Sequence, residues 1–403
     1  MNKLVKSLFG LGLTGLLLVG CNSGTETVVE ENSPASAAID EVRNQYAPDR
    51  RVAIFDVESV DTTGTLVLRG ESNLPEAVTD LKQRLDAQNI TYTDSIQMLP
   101  AEDLEGKTEA VIQISVANLR SRPSHSSELV TQVTLGTPVK VLKKRGSWYY
   151  IQAPDGYLAW VDYGGVTPIT QADLESWRAT EKVIYLQPYG FSYEQANSDA
   201  PVVSDLVAGG VLELLGEEGN FFKVRYPNDR EAFIEKAYSQ RYKDWVDNLN
   251  PSEESLIATS MTMKGVPYLW GGTSTKGMDC SGFTKTVFFL NGMVLPRDAS
   301  QQIQAGVEVD SEKNFENLQP GDLLYFGRKA TADSPERIIH VGMWIGDNKF
   351  IHAMGDVHIS NFDTEAEDFD QYNYDRYLRT MRVLGEEDEK VIQLAQSDLF
   401  MDL

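Results

Sequence analysis

The chain has 403 residues, 41% of them hydrophobic, which suits two or three globular domains and excludes a disordered, collagen-like or coiled-coil polymer. Thirty-six basic residues against sixty acidic ones leave a net charge of −24, and no basic cluster relieves it, so nucleic acid is not an expected partner. Two cysteines (21 and 280) and four histidines (125, 340, 352 and 358) exclude a disulfide framework and a cysteine-rich zinc centre.

Residues 1–20 read as an export signal. Lys3 and Lys6 precede an uncharged apolar run from Leu8 to Val19, too short for a permanent membrane-spanning helix. The run ends in Leu18-Val19-Gly20-Cys21, which resembles the lipobox of bacterial lipoproteins. The resemblance implies acylation of Cys21 and anchoring to a bacterial membrane, facing the periplasm or another extracytoplasmic space. A plain secretory signal with a chance cysteine is the alternative. Residues 21–45 read as a tether, with Ser, Glu, Thr and Asn prominent from Asn22 to Ala38.

Residues 46–108 read as a small α+β unit with nothing chemical in it. Strands are expected over 51–60 and 65–69, a helix over 74–88 with Ala77, Leu81 and Leu85 on one face, and a strand near 90–92. An internal repeat follows at an offset of 73 residues, from Leu129–Val161 to Val202–Ile234. Turn glycines match (Gly136 with Gly209, Gly146 with Gly219), as do aromatics (Trp148 with Phe221, Trp160 with Phe233). Short strands at this spacing predict two small all-β barrels, over 109–168 and 180–245. The opening of the second copy, 183–200, reads as an insertion. Ala117-Asn118-Leu119-Arg120-Ser121, Gly146-Ser-Trp-Tyr and Asp155-Gly-Tyr-Leu-Ala-Trp resemble bacterial SH3 domains, which implies wall-peptide binding or a spacer role. Tyr157 faces Arg230 across the repeat, so the barrel pattern does not hold it there. It is either a surface tyrosine or a functional one.

Residues 250–385 carry the chemistry, and 386–403 read as a solvated acidic tail. A helix is expected from Asp279, a good N-cap, with Phe283, Val287 and Phe288 on one face and Asn291-Gly292 as its stop. Cys280 then opens the helix, where the positive helix end favours a thiolate. Gly282 and the glycines before it are expected to let a substrate backbone approach. His340 and His352 lie in apolar strand-like segments joined by Gly346-Asp347-Asn348. An even loop puts them on opposite faces; an odd loop or a bulge aligns them. Taken alone, a cysteine and a strand histidine are more often core residues than catalysts. Zinc on these three is a poorer reading, and no metal or other cofactor is expected.

Tyr268-Leu-Trp-Gly-Gly, Asp279-Cys-Ser-Gly-Phe, Leu295-Pro-Arg-Asp-Ala-Ser, Leu318-Gln-Pro-Gly-Asp-Leu and His340-Val-Gly-Met-Trp-Ile-Gly resemble, in order, the NlpC family of cysteine peptidases. The resemblance implies a multidomain α+β chain in which two SH3-like barrels precede a papain-like α+β peptidase domain. It implies Cys280 as nucleophile, His340 as base and then acid, His352 as the residue orienting His340, and Tyr268 at the oxyanion. The implied reaction is hydrolysis of γ-D-glutamyl bonds to a diamino acid in cell-wall peptides. The two barrels further resemble those of endopeptidases that trim freed muropeptides. That likeness implies a pocket for the free amine of an L-alanine, formed by Asp279, Ser281, Asp298, Tyr157 and Glu128. Alternatives are an autolysin cutting intact stems, a non-catalytic wall-binding lipoprotein and a papain-like acyltransferase. His125, His358, the acids between 363 and 370 and the run from 386 read as surface groups. A monomer is expected.

Overall fold

The computed structural model describes residues 27–28, 34–62 and 64–402. The signal, Cys21 and the first part of the tether lie outside the described residues. From Pro34 the expectation of a tether is wrong: Pro34–Tyr46 is a helix. Ala35, Ala38, Ile39 and Val42 recur at helical spacing and are all buried. They pack with Ala77, Leu81 and Leu85 of the helix Pro75–Ala87 and with Val57 and Leu68 of the sheet beneath. The strands Phe55–Thr62 and Thr65–Ser72 are an antiparallel pair, and Tyr92–Met98 joins the second in parallel after the helical crossover.

Each barrel is a seven-stranded sheet, and the two have the same strand order, read from opposite edges. The 73-residue offset runs without a gap through every strand: Glu109–Ile112 matches Lys182–Tyr185, and Leu158–Asp162 matches Glu231–Glu235. The expected insertion at 183–200 is therefore corrected. Gly190–Tyr193 is the regular counterpart of the strand Val116–Arg120 and pairs with Val202–Leu206. Its lack of sequence likeness hid it, because strand pairing constrains alternation more than residue identity.

The last unit packs the cysteine helix, Cys280–Phe289, on a six-stranded antiparallel sheet. Phe283, Val287 and Phe288 bury their side chains against Tyr325, Val341, Met343 and Ile351. The sheet order runs Val307–Asp310, Tyr377–Arg382, Leu323–Arg328, Arg337–Gly346, Lys349–Met354 and Asp356–Asn361. Residues 386–403 do not form a solvated tail. Ile392–Gln393 pairs with Met293–Val294. Leu394 and Phe400 are fully buried against Tyr242, Trp245 and Phe289. The Glu-Glu-Asp-Glu run concealed an apolar segment just beyond it.

The barrels are bolted to the peptidase unit. Asp155 of the first forms a buried ion pair with Lys285 of the cysteine helix at 2.8 Å. Gln132 accepts from the Thr273 amide at 3.0 Å and from its hydroxyl at 2.7 Å. Asp205 of the second pairs with Lys276.

Candidate active site

Asp279 caps the cysteine helix: its Oδ1 accepts from the Gly282 amide at 2.8 Å. Cys280 is thus the first helical residue, and its side chain is buried. Burial pushes the thiol up to about 12, the neighbouring Asp279 carboxylate adds to this, and the N–H groups of Val341 and Ser281 only partly offset it. Burial and the Asp279 carboxylate thus oppose the thiolate preference expected at the helix end. Gly282 is likewise not kept for a substrate. A Cβ there would run into the carbonyl of Gly272.

The Val341 N–H on the cysteine sulfur places His340, one residue earlier on the strand, beside the cysteine helix. Trp344 pairs with Phe350 and Gly346 with Lys349, so a bulge at Ile345 interrupts the register. Asp347 and Asn348 form the loop with φ of 52° and 57°. The bulge puts both histidines on one face. His340 Nε2 and His352 Nδ1 are 2.7 Å apart. His352 Nε2 lies 3.0 Å from Ser360 Oγ, and the Ser360 hydroxyl donates to Asp370. The bonding order assigns the tautomers. A carboxylate accepts from Ser360, so Ser360 accepts from His352 Nε2–H. His352 Nδ1 then accepts from His340 Nε2–H, and His340 Nδ1 is left as a bare base.

Both rings are held neutral. Burial, together with His352, drives His340 well below the usual histidine range. Burial, with His358 next, takes His352 down to about 3. His358, expected on the surface, keeps 34% of its side chain exposed, with its ring centroid 4.5 Å from that of His352. Asp370, expected among solvated acids, also caps Asn373. His125 is exposed, as a surface residue should be, and tilts against Trp148.

Cys280 opens into a cavity of about 340 Å³ walled by the peptidase unit and the first barrel. Tyr268, Asp279, Ser281 and Asp298 line it from the peptidase, and Tyr157 and Glu128 from the barrel. Tyr157 is buried, and its hydroxyl donates to Asp298 Oδ2 at 3.3 Å. Glu128 Oε1 accepts from the Trp270 indole at 2.8 Å. Tyr268 is half-buried, and burial with nearby Cys280 raises its hydroxyl far above the ordinary range, so it stays a donor. Asp279 is fully engaged: Arg297, 1% exposed, bonds its two oxygens at 3.1 and 2.6 Å, and the Gly271 amide bonds Oδ2 at 2.9 Å. The same guanidinium reaches Ser281 Oγ at 3.0 Å and Thr131 of the first barrel at 2.9 Å.

Sequence reasoning missed Arg51, Trp270 and Arg337, which also line the cavity. Trp270 stood inside a quoted motif and is 63% exposed. No local signal marked Arg51 or Arg337.

A cysteine opening a buried helix, beside a strand that carries one of two bonded histidines, fits a papain-like cysteine peptidase. The NlpC/P60 family profile matches residues 265–379, and the bacterial SH3 domain profile matches 115–167 and 193–240. The chain belongs to the NlpC/P60 family. It is 30% identical over 247 residues to a gamma-D-glutamyl-L-lysine dipeptidyl-peptidase of Bacillus cereus, spanning 57% of this chain and 68% of that one. A Bacillus subtilis protein of the same name is 32% identical over 235 residues, 55% of this chain and 71% of that one. A crystal structure of an NlpC/P60 family protein from Bacillus cereus superposes with a TM-score of 0.59 at 27% identity, covering 68% of this chain and 99% of that one.

Proposed function

We propose that the protein hydrolyses the amide between γ-D-glutamate and a diamino acid in bacterial cell-wall peptides, acting on freed muropeptides whose L-alanine keeps its amine. The bonded chain His340–His352–Ser360 beside Cys280 carries this reading. In it, the Cys280 thiol passes its proton to His340 Nδ1 as sulfur attacks the γ-carbonyl. The oxyanion takes hydrogen bonds from the Cys280 N–H and the Tyr268 hydroxyl. Protonated His340 then protonates the departing amine, and water, deprotonated by the same ring, releases the acyl group. His352, Ser360 and Asp370 act through His340 as positioning groups.

An ammonium needs a carboxylate with open lone pairs. Asp279 and Ser281 are committed to Arg297, so in this reading they brace the cleft. Glu128 and Asp298, whose Oδ2 is shared with Arg51, face the amine, and Tyr157 closes the wall behind it. The test is L-Ala-γ-D-Glu-diaminopimelate against its N-acetyl form, with wild type and Cys280→Ala, read by mass spectrometry. Cleavage of the free peptide by wild type alone, with the acetylated form at least tenfold slower, is expected. Equal cleavage of both would favour an autolysin on intact stems, and no cleavage of either would sink the peptidase substrate reading.

A further inference from the structure

We infer that Arg51 is a specificity-determining residue whose guanidinium competes with the substrate's ammonium for Asp298. This rests on the amine-pocket reading above and goes beyond it, because Arg51 comes from the N-terminal unit, outside both family matches.

The loop bearing Arg51 is pinned to the first barrel. The Leu158 amide donates to the Arg51 carbonyl at 2.8 Å, and the Gln152 amide group donates to the Val52 carbonyl at 2.9 Å. The Arg51 side chain is aimed by Asp49, which accepts from Nε and Nη2, each at 2.8 Å. Asp49 is itself fixed by Gln301 of the peptidase unit at 2.8 Å. The remaining nitrogen, Nη1, donates to Asp298 Oδ2 at 2.7 Å and to Ser300 Oγ at 2.8 Å. Oδ2 is also the oxygen that Tyr157 contacts.

An arginine keeps its charge at any working pH. An ammonium entering this end of the cleft therefore meets an already neutralised Asp298 and a like charge beside it. Glu128, with one oxygen on Trp270, is left as the acid with free capacity. A neutral acyl-blocked alanine meets no such repulsion. The docked N-terminal unit thus weakens selection for a free amine and widens the substrate class toward stems whose alanine nitrogen is acylated.

The experiment compares kcat/KM for L-Ala-γ-D-Glu-L-Lys and its N-acetyl form in wild type, Arg51→Gln, Arg51→Ala and Glu128→Gln, with thermal melting as a check on folding. The free-to-acetyl ratio should rise about tenfold in Arg51→Gln, through a lower KM for the free peptide. General damage lowers both rates and leaves the ratio alone, and Arg51→Gln keeps donors for Asp298. A ratio that is high in wild type, falls in Glu128→Gln and is unmoved in both Arg51 variants overturns the inference while the amine pocket stands. A ratio near one in wild type that rises in Arg51→Gln supports the inference and names Arg51 as the reason. A ratio near one in every protein overturns both.

Discussion

Burial acts on the thiol and the imidazoles in opposite directions, yet with one result: Cys280 is driven up and His340 and His352 down, so the resting trio is uncharged. The two depressed histidines also bear on stability. Their folded values lie below the unfolded value of about 6.5, so the unfolded chain takes up the proton first. Their contribution is complete above that pH and is lost as pH falls toward the folded values, about 3 for His352. Each costs about 1.4 kcal/mol per pH unit in that window. His352→Asn should remove about one proton from the slope of unfolding free energy between pH 6.5 and 4.5. Denaturant titrations at several pH values would show it, and parallel slopes in variant and wild type would rule out a neutral buried His352.

The hairpin bearing the two histidines shows what sequence patterning can and cannot reach. Its strands and its loop are legible as apolar runs around Gly-Asp-Asn. The bulge at Ile345, which decides whether the rings meet, depends on cross-strand packing that no short window contains. Gly342 adds a second condition. A Cβ there would press on the Phe350 ring and on the His352 Cβ, at 2.8 and 3.1 Å. Gly342→Ala should therefore tilt His352 away from His340, lowering kcat/KM at least tenfold while costing about 1–3 kcal/mol of stability. Steady-state kinetics beside a melting curve separates these effects. Full activity in a folded Gly342→Ala protein would mean the ring contact is dispensable.

At the scale of the molecule, the cleft is shared property. The motifs that resemble the NlpC family marked Cys280, His340 and Tyr268, and local spacing alone gave only a helix start and strand segments. Arg51 was invisible because it meets Asp298 across 247 residues of chain, a contact only the docked assembly creates. The same docking makes the Asp155–Lys285 pair, with side chains 5% and 15% exposed, a structural weak point. Asp155→Ala strands an ammonium at the barrel–peptidase seam, and about 3 kcal/mol should be lost. Calorimetry should show an earlier, broader transition, which Lys285→Met in the same protein reverses. A single variant as stable as wild type would show that water reaches the seam.

Residues 391–401 strap the second barrel to the far end of the cysteine helix, through Leu394 and Phe400 on one side and the short pairing with Met293–Val294 on the other. Ribosomal synthesis runs from the N-terminus, so this strap emerges after every residue of the cleft. Cys280, His340 and His352 are all made before the clasp that fastens their scaffold, so the packing of that scaffold is completed by contacts that follow the cleft's own residues in the chain.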